Sequence, residues 1–313
     1  MRWIWLASYP KSGNTWLRLL IANLGREEPA DINAIPESAG IASSREWFDS
    51  SMLFASGLLT YDECDRLRPM VYEAKREEFE DCVDLDEDNE EGGDDVASRV
   101  GQVHFVKSHD AWTVNPDGRP LLGGSRVADA AILIVRDPRD VAPSLANHNG
   151  STIDGAVDLM GQQDGAFCGQ PRRQAIQLRQ QLLSWSAFNA SWLDQRDVPV
   201  QCVRYEDLYT DTAATLGKVL AFAGVEVSEE DVARAVRFAA FSELTAQEQA
   251  KGFREAPPSR GKRSFFRRGI AGGWADELTA EQVERIEQDH APMMERLGYA
   301  LSAAGATEER RAE

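Results

Sequence analysis

The chain has 313 residues, 42% hydrophobic and 27% charged, the proportions of a globular protein able to build a large core. A net charge of −18 argues against a nucleic-acid partner, whose phosphates demand clustered Lys and Arg, yet a few cations in a cleft can still hold a small anion. Cys64, Cys82, Cys168 and Cys202 show neither CxxC pairing nor a histidine at metal-ligand spacing and read as reduced thiols of a cytoplasmic protein; no window suits a signal peptide or a membrane span.

Trp3–Ser8 is short and apolar on both faces, which predicts a buried strand. From Asn14 or Thr15 to Leu24 the apolar residues fall at helical spacing, with Gly25 as the stop. The opening is therefore strand, tight loop, helix. Ser44–Leu59 and Tyr61–Phe79 read as helices, the second interrupted at Pro69. Asp84–Asp95 is an acidic, mobile loop; as a calcium loop it would need Gly and Glu where Asn89 and Asp95 stand, so no metal is expected.

Val103–Lys107 and Ala130–Val135 are further strands, the latter followed by a helix with Asp137 as N-cap and Pro138 at its first position. Residues 149–172 read as irregular, Gln174–Gln195 as one long helix and Val198–Arg204 as a fourth strand. Thr212–Phe222 and Ser228–Phe238 are helices, and Lys251–Gly273 is a basic, glycine-rich loop. Thr279 and Gln282 form a capping box for a last helix ending near Leu297. Strands alternating with helices predict an α/β fold of three layers, a central parallel sheet with helices on both faces, in a single domain over 1–313.

The loop after the first strand, YPKSGNTW at residues 9–16, joins two apolar runs, so its anchors are buried. A strand–loop–helix joint exposes free backbone N–H groups that favour an anion. Gly13 allows close approach, Lys11 supplies charge, and Ser12, Asn14 and Thr15 supply donors. The Walker pattern GxxxxGK[ST] is not met, which weakens a nucleoside triphosphate reading.

This stretch resembles the 5′-phosphosulfate loop of the cytosolic-type sulfotransferases, which use 3′-phosphoadenosine 5′-phosphosulfate (PAPS); their usual YPKSGTTW differs here only at Asn14. Two further motifs follow in the family's order. IVRDPRDVAPS supplies Arg136 and Ser144 at the spacing of the 3′-phosphate motif, although Arg136 alone could equally pair with Asp140. RRGIAGGW at 267–274 is similar to RKGxxGDW, so Arg267, Arg268 and Gly269 would close over the same phosphate.

VKSHD matches the family's KTH element. On a strand, Lys107 and His109 share a face while His104 points the other way. The resemblance makes His109 the general base, Lys107 the partner of the sulfonate oxygens and Lys11 the group that follows charge on the leaving oxygen. An imidazole titrating near neutral pH suits that role. Tyr205, in RYEDL, and Phe241, in AAFSEL, resemble residues that contact the adenine, with Trp16 stacking from the opposite side.

The resemblance implies transfer of a sulfonate from PAPS to a hydroxyl or amine of a small-molecule or carbohydrate acceptor, releasing adenosine 3′,5′-bisphosphate (PAP), without a metal and with no nucleic-acid or membrane partner. Residues 31–100 and 149–173, which carry Trp47, Phe48, Phe54 and Phe167, are the expected acceptor-site insertions. The family's dimer motif is not carried over, because Ala275 and Ala280 replace its Lys and Val, so oligomeric state stays open. The rival readings are an ATP-dependent small-molecule kinase and a non-catalytic nucleotide-binding protein.

Overall fold

A computed structural model describes residues 1–35, 40–84, 96–170, 177–256 and 264–302. The chain begins with β1 (Arg2–Ser8) and α1 (Asn14–Ala22), and continues through α2 (Arg45–Met52), α3 (Tyr61–Asp84) and α4 (Val96–Gly101) to β2 (Val103–Ser108). Then come β3 (Ala130–Val135), α5 (Pro138–Asn149), α6 (Ile153–Gly161) and a small hairpin of β4 (Ala166–Phe167) with β5 (Gln180–Gln181). After α7 (Trp185–Asp194) and β6 (Val200–Arg204), the remaining helices are α8 (Tyr205–Thr210), α9 (Thr212–Ala223), α10 (Glu229–Phe238), α11 (Phe241–Lys251) and α12 (Ala280–Arg296).

The main sheet is parallel, in the order β2-β1-β3-β6, with Trp3 beside His104 and Ile4 beside Ala130. Its strands are apolar on both sides because helices cover both. Trp3, Trp5, Leu133 and Val135 pack with α5, α7 and α12, whereas Ile4, Leu6, Ile132 and Ile134 pack with α1, α9 and α10. This is the three-layer α/β architecture expected from the alternation of elements. The loops after β1, β2, β3 and β6 all leave from the carboxyl ends of the strands, where open α/β sheets bind ligands.

Several local expectations fail for identifiable reasons. The helix across Pro69 is continuous, because tertiary bonds grip it there: Arg68 is fully buried and donates to Asp65, Asp110 and the Tyr72 hydroxyl. The predicted 44–59 helix stops at Met52, where Leu53 turns to φ 58°. Residues 149–172 are not irregular throughout, since Thr152 caps α6, which buries Ala156, Val157 and Met160. The long helix over 174–195 is shortened to α7, begun by the Ser184 cap. Just before it, Gln181 is drawn into hydrogen bonds with Ala111 and Asp110. The mobile-loop reading of 84–95 concerns residues that, beyond Asp84, lie outside the described ones. Among the described residues no helix is long and apolar enough to cross a membrane.

Candidate functional site

The first motif forms a tight joint. Ser12 N–H donates to the Tyr9 carbonyl, Lys11 sits at φ 70°, and Gly13, at φ 105°, precedes α1. A Cβ on Gly13 would stand 2.7 Å from the Tyr205 ring, so the position needs glycine for both conformation and space. The Asn14 side chain is buried and donates to the Leu6 carbonyl at 2.8 Å and to Ser8 Oγ at 3.2 Å. Its amide protons therefore brace the loop against β1 and are not free for a phosphate, contrary to the donor role read from the sequence. The backbone N–H groups of the first turn of α1 have no intrahelical partner.

Arg136 leaves the end of β3 and reaches both other motif segments. It donates to the Lys11 carbonyl at 3.2 Å and to the Ile270 carbonyl at 2.9 Å, and its guanidinium lies 4.2 Å from the Tyr205 ring centroid. Asp140 stands 3.9 Å from Arg136, too far for a hydrogen bond; it accepts instead from Gly272 N and Trp274 N, fastening the glycine-rich bend to α5. Arg267 and Arg268 both engage Glu277, and Arg268 also reaches Asp276. Gly269 is packed against Phe241, and Trp16 donates to the Ala239 carbonyl while tilting against Tyr205.

These segments share one cavity of about 850 Å³. Its walls include Lys11, Gly13, Asn14, Thr15, Trp16, Lys107, His109, Arg136, Ser144, Tyr205, Phe241, Arg267, Arg268 and Gly269. Ser12 is the expected site residue outside the lining; it is fully buried, and its Oγ has no hydrogen-bond partner. Of the aromatic residues expected at the acceptor end, Phe167 lines the cavity. Phe48 is core, Trp47 stacks near His104 and Trp3 at the far side of the sheet, and neither they nor Phe54 reach it. His104 is buried among those rings, as its strand parity predicts.

The electrostatics differ from a simple basic pocket. Burial, then the charges of Lys107 and Arg136, bring Lys11 down to about 7, and its Nζ lies 3.7 Å from the Phe265 centroid. Burial also lowers Lys107, against the opposing pull of Glu255. His109 is pushed down to about 3 by burial and by Lys107, so it is a neutral imidazole well away from the near-neutral titration expected. Its Nδ1–H donates to the Ser8 carbonyl at 2.7 Å, which leaves the lone pair on Nε2. That is the tautomer a proton acceptor requires.

A model of the sulfotransferase domain family matches residues 128–298, more than half of the chain. The chain belongs to the sulfotransferase domain family. The match includes the Arg136 and 267–274 motifs and begins after the Lys11 loop. Over 121 residues the chain is 30% identical to sulfotransferase 1A1 of Canis lupus familiaris, covering 38% of this chain and 41% of that one. It is 26% identical over 167 residues to human sulfotransferase 2B1, covering 52% and 44%. The chain thus spans less than half the length of these curated relatives. Its fold resembles that of a mouse sulfotransferase complexed with PAP, at TM-score 0.55 and 20% identity, over 99% of this chain and 87% of that one. A retinol dehydratase complexed with retinol and PAP is also similar, at TM-score 0.52 and 19% identity, over 96% and 84%.

Sequence reasoning misses His148 and Glu255 on the walls of this cavity, and Arg18 behind Glu255. Arg18 accompanies Glu255, and a lone arginine inside the apolar run WLRLLIANL is a legible sign of a buried ion pair. His148 lies four residues after Ser144 on α5, hence on the same helix face, and is brought down to about 3 by burial and by Lys11 and Lys107. Nothing in the local sequence marks Glu255.

Proposed function

We propose that the cavity binds PAPS and that the chain transfers its sulfonate to a hydroxyl or amine of a small-molecule or carbohydrate acceptor. The observation that carries this reading is the double contact of Arg136 with the Lys11 and Ile270 carbonyls, which ties three phosphate-type motifs round one cavity. The residues suit a doubly phosphorylated adenosine: Lys11 and Lys107 together with Arg136, Arg267 and Arg268 for its anionic groups, and Trp16, Tyr205 and Phe241 for a base.

PAPS, when bound, supplies the sulfonate that is transferred. Lys11, with the free N–H groups opening α1, would hold the 5′ end. Arg136, Ser144, Arg267, Arg268 and the backbone of Gly269 would hold the 3′-phosphate. Lys107 would neutralise the sulfonate oxygens, and Lys11 would stabilise charge on the leaving oxygen; such preorganised charge is the main lever of a group transfer of this kind. His109 would take the acceptor proton on Nε2, with Ser8 fixing the ring. No step requires the protein to form a covalent intermediate.

Thermal shift with PAP, and separately with ATP and magnesium, tests the donor assignment. PAP is expected to raise the melting temperature in the manner of any ligand bound only by the folded state. Stabilisation by ATP with magnesium and not by PAP would replace this reading with a kinase.

A further inference from the structure

Among the described residues lining the cavity, six are Lys or Arg and Glu255 is the one carboxylate. Glu255 follows α11 and spans two elements that build the site. Its Oε1 accepts from Arg18 Nη1 on α1 at 2.6 Å, and its Oε2 accepts from Lys107 Nζ on β2 at 2.8 Å. The side chains are 21% exposed for Glu255, 4% for Arg18 and 13% for Lys107. Burial alone would push the Glu255 carboxyl up, but Lys107 and Arg18 hold it well below the usual range. The carboxylate therefore marks a position where two converging cations receive an anion.

Lys107 is also the residue to which the proposed function gives the sulfonate oxygens. A sulfonate reaching Lys107 meets a carboxylate already bonded there, and in a partly enclosed cavity two anions repel with little screening. PAP ends at its 5′-phosphate and makes no such demand.

We propose that Glu255 is the specificity-determining residue of the donor end, a resident anion that the sulfonated donor must displace from Lys107 and that the desulfonated product leaves in place. The inference rests on the donor reading above. It gives the site a direction: the bound donor is raised in free energy, and the repulsion is relieved when the sulfonate departs and Glu255 regains Lys107.

Titration calorimetry of PAPS and PAP, without acceptor, tests this on the parent, Glu255→Gln and Glu255→Asp. Glu255→Gln removes the charge and is expected to raise PAPS affinity relative to PAP by about tenfold. Glu255→Asp keeps the charge and should stay within about twofold of the parent ratio. An unchanged ratio in Glu255→Gln, with both nucleotides bound, would make Glu255 a structural counter-ion only and overturn the proposal. A parent that binds neither nucleotide would instead remove the donor reading, and this inference with it. If Glu255→Gln does not fold, carbon-13 NMR of the parent's labelled glutamate carboxyls decides. A Glu255 signal that moves with PAPS but not with PAP is expected, and equal movement with both overturns the proposal.

Discussion

The floor and the rim of the cavity hold their cations differently. On the floor, Lys107 and, behind it, the buried Arg18 come from separate elements and share the half-buried carboxylate of Glu255, while Arg136 is spent on two backbone carbonyls. On the rim, Arg267 and Arg268 meet Glu277 and the largely exposed Asp276, all within ten residues of one another. A buried charge left unpaired is costly, so the fold fixes the floor through partners far apart in the chain. The rim arginines are more exposed, at 30% and 35%, so their pairs are more screened and worth less, and the local chain alone arranges them. Changes on the floor should therefore act strongly and in qualitatively distinct ways, and changes on the rim weakly.

The largest expected effect is at the proposed base. His109→Ala should lower the rate of sulfonate transfer by about 10²–10⁴-fold while PAP affinity, read by calorimetry, holds. Parent-level turnover would remove His109 from its role. Next, Arg136→Ala breaks both bridging hydrogen bonds as well as any phosphate contact, and should weaken PAP binding by about 10–100-fold. An effect no larger than that of a rim substitution would erase the distinction between the two regions.

The pH dependence sharpens the contrast. In the free protein Lys11 titrates at about 7, below its ordinary value, and a bound anion favours the protonated form. Binding PAP above that pH must take up a proton, so affinity should fall as pH rises from 7 to 9. Lys11→Arg keeps its charge throughout and should flatten the fall; an equally steep profile in that variant would place the linkage elsewhere. The smallest effect belongs to the rim, where Arg268→Ala should change PAP affinity by less than about fivefold.

The layered fold is legible because apolar strands alternate with capped helices, and those signals are local: Asp137 and Pro138 do open α5, and Thr279 with Gln282 does form the capping box of α12. The failures are tertiary. Nothing near Pro69 announces that Asp110, 42 positions from Arg68, will grip the helix across it. Nor does QLRQQLL announce that Gln181 will pair with Ala111 and Asp110 before Trp185 begins a helix. In the site, motifs locate the residues but not their environment. The near-neutral imidazole expected at His109 is displaced by burial and by Lys107, and the carboxylate that completes the floor comes from an unremarkable loop.

Asn14 has a consequence for anyone reshaping this cavity. Its amide grips Leu6 and Ser8, and the carbonyl of Ser8 is the one that orients His109. Asn14 holds the hydroxyl and His109 the carbonyl of the same Ser8, so the loop after β1 and the imidazole share one anchoring residue and belong to a single unit of redesign.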